Sequence, residues 1–132
     1  MPGNGAKVVQ LEADKPNETG GLLLGRIDYV QKTIYVTRIM DAPTDSKKTP
    51  YLFQRGKKGV PEFIRRVGSK TGDIITYVGE WHTHPKGGAQ LSATDRQAVK
   101  ELREVLDEIS YPTFITIVTP NKLHPYVFNV DL

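Results

Sequence analysis

Short apolar runs and alternating segments predict that strands make up much of this chain. The run Leu22-Leu23-Leu24 is typical of the start of a buried strand. Residues 32–40 alternate and are rich in β-branched side chains, which predicts a second strand after a turn at residues 28–31. Residues 41–50 have the composition of a loop. The remaining predicted strands cover residues 73–81, 114–119 and 126–130.

Two of the predicted helices lie in the first half of the chain. Residues 6–13 can form a short helix that ends before Pro16. A second helix is predicted to begin near Pro61, because proline suits the first turn of a helix. Its apolar face comprises Phe63, Ile64 and Val67.

The clearest helix begins at Ser92 and ends before Tyr111 and Pro112. Apolar residues recur along it at intervals of three and four, which places them on one face; they are Val99, Leu102, Leu106 and Ile109. Strands and helices intermix along the chain, so the sequence predicts an α/β or α+β sandwich with a mixed sheet.

The size and composition predict one folded domain over residues 1–132. No apolar run reaches the roughly 20 residues that span a bilayer, and the N-terminus lacks a basic stretch followed by an apolar core. The predicted localisation is therefore cytoplasmic. Cysteine is absent, which excludes disulfides, thiol catalysis and cysteine-ligated zinc sites.

Basic residues are concentrated in one part of the chain. Residues 47–70 contain eight lysines and arginines but a single acid, Glu62, whereas the remainder has ten basic and fourteen acidic residues. Such a segment is typical either of a binding surface or of a solvated loop and helix face. It contains no nucleic-acid-binding motif and no interleaved aromatic residues, so nucleic acid is an unlikely partner.

His82 and His84 are the candidate metal ligands. Side chains on a strand alternate between faces, so these two imidazoles point the same way and can bind one zinc ion. A carboxylate as third ligand would leave the fourth position open for water, as in catalytic zinc sites. A pair of histidines two residues apart also occurs by chance. His124 lies in a predicted turn and is interpreted as an ordinary surface residue.

Two carboxylates can supply the third ligand. Glu80 shares a strand face with His82, whereas Asp95 follows His84 by eleven residues in the first turn of the long helix. Asp95 also has a purely structural interpretation, since Ser92 and Asp95 match the spacing of a capping box. Spacing alone favours neither carboxylate.

Two separated blocks of the sequence resemble the JAMM motif of the JAB/MPN metalloprotease family. The first block is Glu18-Thr19-Gly20-Gly21-Leu22-Leu23-Leu24-Gly25, which is similar to the family's E-x-G-G-x-L-x-G element. The second is Gly79-Glu80-Trp81-His82-Thr83-His84-Pro85, followed after the family's spacing by Ser92 and Asp95. The resemblance implies a curved mixed sheet flanked by helices around a deaminase-like core.

The same resemblance implies a role for each site residue. His82, His84 and Asp95 would bind Zn²⁺, Glu18 would be the general base, and Ser92 would donate a hydrogen bond to the oxyanion of the tetrahedral intermediate. Glu80 would support the site without binding the metal. The implied reaction is hydrolysis of a peptide or isopeptide bond.

In its small size and in the block around Trp81, the chain resembles the bacterial branch of the family. This branch includes isopeptidases associated with CD-NTases in antiphage operons. The implied substrate is the extended C-terminal tail of a ubiquitin-like or CD-NTase-type protein joined to a target, and an E1/E2-like conjugating enzyme is a possible partner.

Two alternatives stay open at this stage. One is a JAMM peptidase that processes a sulfur-carrier or ubiquitin-like precursor in biosynthesis. The other is a metal-free protein-binding module, although all five site residues are present. Two other zinc hydrolase classes are excluded, because the chain has neither an H-E-x-x-H motif nor the cysteines of a nucleoside deaminase.

Overall fold

The computed structural model describes residues 16–129, so the predicted helix at residues 6–13 lies outside the described residues. None of the helices within this range is long and apolar enough to cross a membrane. The elements in chain order are β1 Gly20–Asp28, β2 Thr33–Met40, β3 Lys47–Thr49, β4 Leu52–Gln54, α1 Val60–Lys70, β5 Thr76–Thr83, α2 Ala93–Glu108, β6 Thr113–Thr119 and β7 Lys122–Phe128.

Five of the strands form one mixed sheet, as the sequence predicts, and their order in the sheet is β2-β1-β5-β6-β7. β5 and β6 are parallel, and the other neighbouring pairs are antiparallel. A parallel pair needs a crossover connection, which α2 provides between β5 and β6. The crossover brings the N-terminus of α2 to the end of β5 where His82 lies.

The apolar run of β1 is continuous because residues pack against both of its faces. Leu22 and Leu24 are almost fully buried and form a cluster with Val67 of α1. Leu23 lies in a second cluster with Val78, Trp81 and Phe114. β1 is therefore part of the core.

Both predicted helices of the described range form. α1 begins after Gly59, whose φ of 79° lies in the left-handed region that glycine adopts readily. Within α2, Val99 and Leu106 are buried as expected. The placement of Ile109 on the apolar face is wrong: α2 ends at Glu108, the backbone of Ile109 leaves the helical path, and its side chain is 68% exposed.

Three predicted boundaries are also wrong. β5 begins at Thr76 and not at residue 73. Residues 41–50 include β3, which pairs with β4 as a separate two-stranded hairpin; its Lys-Lys-Thr sequence carries no apolar alternation that would predict a strand. β7 begins at Lys122 and not near residue 126, so His124 lies in a strand and not in a turn. The strand contains Pro125, which is compatible with its position at the sheet edge.

Candidate metal centre

His82 and His84 lie together at the end of β5. Their side chains point the same way, and their Nε2 atoms are 3.2 Å apart. Both residues are buried, with 6% and 9% exposure. The alternation of side chains along a strand accounts for this placement, as the sequence predicts.

Asp95 approaches the two histidines from the first turn of α2. Its Oδ1 lies 3.1 Å from His82 Nε2, and its Oδ2 lies 3.0 Å from His84 Nε2. Ser92 is the N-cap and completes the capping box: its hydroxyl accepts from Asp95 N at 3.0 Å, and its own N–H donates to Asp95 Oδ2 at 2.9 Å. Asp95 therefore has both the structural role and the position beside the histidines.

Glu18 reaches the same place from the segment before β1. The N–H of Thr19 donates to Thr83 Oγ1 at 2.9 Å, which aligns the glutamate with the end of β5. One carboxylate oxygen of Glu18 lies within 4.8 Å of a ring nitrogen of His82 and of His84, and the residue is 8% exposed. Two carboxylates thus face the histidine pair, and Asp95 is the one in direct contact with both rings.

The close approach of β1 to β5 depends on Gly20. A β-carbon at this position would collide with the carbonyl oxygen of Trp81 and lie only 2.6 Å from the ring of Phe53. Gly20 is paired with His82, and Glu18 lies only two positions before Gly20. The glycine therefore lets Glu18 and His82 share one site.

The hydrogen bonding of His84 shows that this site fits a cation. His84 Nδ1 lies 2.6 Å from the carbonyl oxygen of Gly88, so Nδ1–H donates there and the Nε2 of the neutral ring carries only a lone pair. That lone pair faces an Asp95 oxygen and His82 Nε2 at 3.0 and 3.2 Å, which is unfavourable unless a proton or metal ion lies between them. Ligand atoms 2.0–2.1 Å from a tetrahedral zinc are about 3.4 Å apart, close to these separations.

The carboxylates at the site have pKa values shifted in opposite directions. Burial raises the pKa of Glu18, although the nearby histidines act against this shift. Burial also acts to raise the pKa of Asp95, but the contacts with His82 and His84 outweigh it and lower that pKa well below its usual range. The contact with Asp95 in turn raises the pKa of His84.

Glu80, the other carboxylate considered as a ligand, faces different partners. Arg55 Nε donates to its Oε1 at 2.5 Å, and the Tyr77 hydroxyl donates to its Oε2 at 2.7 Å. Burial raises the pKa of Glu80, and the ion pair with Arg55 opposes that shift. The structure therefore brings Asp95, and not Glu80, into contact with the histidine pair. His124 lies 2.9 Å from Thr119 Oγ1 through its Nε2 atom.

A groove of about 780 Å³ leads to the centre between β4 and α2. His82 and Asp95 line one part of it, and most of the other lining side chains are apolar. The ring of Phe53 in β4 lies 6.3 Å from the His82 ring, centroid to centroid. The hairpin β3–β4 and Arg55 are the parts of the site that the sequence analysis missed. The apolar pair Leu52-Phe53, between a turn and Gly56, is the signal that could have indicated them.

The chain matches the family described as prokaryotic homologs of the JAB domain over residues 4–128. It is 35% identical over 86 residues to a CD-NTase/cGAS isopeptidase of Enterobacter hormaechei, a match that covers 65% of this chain and 46% of the relative. It is 30% identical over 112 residues to a CD-NTase/cGAS isopeptidase of Pseudomonas aeruginosa, with 85% and 69% covered. A probable metalloprotease of Sinorhizobium fredii is 28% identical over 86 residues, with 64% and 52% covered.

The chain spans about half the length of the Enterobacter and Sinorhizobium relatives. A protein from Desulfitobacterium hafniense, solved in solution, has a similar fold with a TM-score of 0.55 and 20% identity, over 96% of this chain and 79% of that one. The match over residues 4–128 and the Pseudomonas relative together show that this chain belongs to the prokaryotic JAB-domain family.

Proposed function

We propose that this protein is a zinc metallo-isopeptidase of the JAMM type. The observation that carries the proposal is the contact of His82, His84 and Asp95 at separations of 3.0–3.2 Å, with the buried Glu18 beside them. Two relatives are named CD-NTase/cGAS isopeptidases. We therefore propose that the substrate is a CD-NTase-type or ubiquitin-like protein joined to a target through its C-terminus.

Zinc is the metal that the family implies, and two imidazole nitrogens with a carboxylate beside them are donors that suit it. His82, His84 and Asp95 would hold the ion, which leaves one position of a tetrahedral site for water. Bound zinc supplies a water of lowered pKa and polarises the scissile carbonyl. His84 is oriented for this role because Nδ1–H donates to Gly88, as the second nitrogen of a metal-binding histidine ordinarily does.

Glu18 would act as the proton carrier of the reaction. Burial raises its pKa, which makes the carboxylate a better base and lets the protonated form donate to the leaving amine. Ser92 would provide an oxyanion donor. Its oxygen is held by the N–H of Asp95 at 3.0 Å, and the hydroxyl proton is then available to the developing charge.

The outer edge of β4 is suited to bind an extended substrate tail. β4 lines the groove, and its other edge is paired with β3. On the far side of the hairpin, the N–H of Glu18 donates to Thr49 O, so the outer edge of β3 is partly occupied. We propose that the tail adds as a strand along β4 and reaches the metal centre at His82.

The names of the relatives favour this substrate over a sulfur-carrier precursor. We further propose that the reaction is the deconjugation step of an antiphage conjugation system, in which an E1/E2-like enzyme makes the conjugate. A cytoplasmic setting is part of this proposal, and fractionation of cells that express a tagged protein would test it.

A cleavage assay tests the proposed activity. Purified, zinc-loaded protein is incubated with CD-NTases that carry a fluorescent protein fused after the last residue, and with the same CD-NTases joined to a lysine side chain. We expect mass spectrometry to find cleavage directly after the CD-NTase C-terminus, and no cleavage when 1,10-phenanthroline is present. If both types of conjugate stay intact with zinc, the proposed function is wrong.

A further inference from the structure

A network of three partly buried side chains joins the hairpin β3–β4 to β5. Arg55 directly follows β4, and its Nε donates to Glu80 at 2.5 Å while its Nη1 donates to Gly56 O at 2.8 Å. Tyr77 donates to the other oxygen of Glu80 at 2.7 Å. The side chains of Arg55 and Glu80 are only 26% and 14% exposed. Each oxygen of Glu80 therefore accepts a hydrogen bond, as a buried carboxylate requires.

The hairpin is not part of the five-stranded sheet, so contacts outside the ladders of that sheet set its position. They include the backbone hydrogen bond from Glu18 N–H to Thr49 O and the side-chain contacts of Tyr51 and Arg55. At its turn, Lys86 Nζ donates to the hydroxyl of the exposed Tyr51 at 2.9 Å. An exposed contact of this kind contributes little. The partly buried, charge-assisted contact of Arg55 with Glu80 lies at the opposite end of β4.

This network lies next to the residues of the metal centre. Glu80 precedes His82 by two positions on β5 and shares its face of the strand. Arg55 and Glu80 both line the groove that His82 and Asp95 also line. The distance between the edge of β4 and His82 is thus set partly by the ion pair, because Arg55 directly follows β4 and Glu80 lies on β5 with His82.

We infer that Arg55 is a positioning residue for the substrate tail. Its ion pair with Glu80 holds β4 at the spacing from β5 at which a tail on β4 presents its scissile bond to the metal centre. The inference rests on the proposed function. Arg55 itself touches neither the histidine pair nor Asp95, so its effect is on the placement of the groove wall and not on the zinc ligands.

Arginine suits this task better than lysine. The rigid guanidinium group donates to Glu80 through Nε and to Gly56 O through Nη1 at the same time, whereas a lysine ammonium is a single flexible charge. Arg55→Lys keeps the charge beside Glu80 and loses the two-point contact. This variant therefore separates the geometry of the pair from its charge.

The test compares Arg55→Lys, Glu80→Gln and the double variant with Arg65→Lys. Arg65 is a matched control, because its side chain is 75% exposed on α1 and approaches only Glu62, at 3.9 Å. On the CD-NTase fusion we expect Arg55→Lys to raise KM about tenfold with kcat changed little, since the variant weakens substrate placement and spares the chemistry. The double variant is expected to be no worse than the poorer single one, because both substitutions break the same contact.

Two measurements need no substrate. Zinc content is expected to stay stoichiometric in all four variants, and amide exchange in residues 47–54 is expected to be faster in Arg55→Lys than in Arg65→Lys. Unchanged exchange would overturn the positioning role, and so would lost zinc or a fall in kcat alone. A wild-type protein that cleaves none of the fusions contradicts the proposed function, and the exchange measurement then decides separately whether Arg55 holds the hairpin.

Discussion

At the scale of single residues, the site depends on carboxylates that behave differently in one small space. Asp95 contacts both imidazoles, and this contact lowers its pKa. Glu18 is buried at the edge of the same group, and burial raises its pKa. A group that stays ionised suits metal binding, whereas a group of raised pKa suits proton transfer. The environments of these two side chains therefore agree with the roles proposed for them.

Glu18→Gln is expected to keep the fold and the bound zinc but to lower kcat by about 10²–10⁴-fold, because it removes the base and retains the shape of the side chain. Turnover of the CD-NTase fusion and zinc content by atomic emission measure the two effects. His84→Ala is the comparison, and it is expected to lose zinc as well as activity. Full activity in Glu18→Gln would exclude Glu18 from the mechanism.

Zinc binding is expected to weaken as the pH falls through the titration of His84 and not at the much lower pH where Asp95 titrates. The contact with Asp95 raises the pKa of His84. As the pH falls, a proton therefore begins to compete with zinc for His84 at a higher pH than it would for an unperturbed histidine. Calorimetric titration with zinc between pH 5.5 and 8, in buffers of different ionisation enthalpy, counts the protons released. Affinity that is constant over this range would contradict the assignment of His84 as a ligand.

At the scale of elements, the start of α2 combines a structural task with a chemical one. The capping box of Ser92 and Asp95 caps the N-terminus of the helix, and Asp95 of the same box contacts both histidines. The positive end of the helix dipole also favours the negative charge of Asp95. One local motif thus supplies the cap, the carboxylate and the hydroxyl.

Replacement of Ser92 separates these tasks. Ser92→Ala is expected to lower the free energy of unfolding by about 1 kcal/mol, because the cap is lost, whereas Ser92→Gly costs only a few tenths of a kcal/mol. Both variants lack the hydroxyl, so kcat on the CD-NTase fusion is expected to fall about 10²–10³-fold in each. Denaturant titration and steady-state kinetics measure the two quantities. Wild-type turnover in Ser92→Gly would remove the hydroxyl from the proposed mechanism.

At the scale of the whole molecule, the centre joins parts of the chain that are distant in sequence. Glu18 precedes β1, His82 and His84 lie at the end of β5, and Asp95 begins α2. A metal ion that binds this centre therefore links the N-terminal part of the sheet with the helix that crosses it.

The basic segment, residues 47–70, is divided between the hairpin, the following loop and α1. Lys57, Arg65 and Arg66 are exposed, whereas Arg55 is turned toward Glu80.

Removal of zinc is expected to lower the melting temperature. A ligand that binds only the folded state at a concentration 1,000 times its dissociation constant adds about 4 kcal/mol to the free energy of unfolding. Differential scanning calorimetry with and without a chelator measures the change, with His84→Ala as the variant that should not respond. An equal melting temperature for both forms of the wild-type protein would contradict a metal that connects these segments.

The sequence by itself determined the features that depend on near neighbours. Strand alternation predicted that His82 and His84 share a face, and the Ser92 and Asp95 spacing predicted the capping box; the structure has both. The two motif blocks indicated the family before the fold was known. Spacing favoured neither Asp95 nor Glu80, and the family resemblance implied Asp95. Only the tertiary structure decided which carboxylate contacts the histidines, because this depends on where α2 meets β5 and on Arg55, 25 residues before Glu80. The hairpin β3–β4 was missed for a related reason. Contacts with distant segments hold it in place, such as Glu18 with Thr49 and Arg55 with Glu80, and the apolar pair Leu52-Phe53 is a weak local signal beside them.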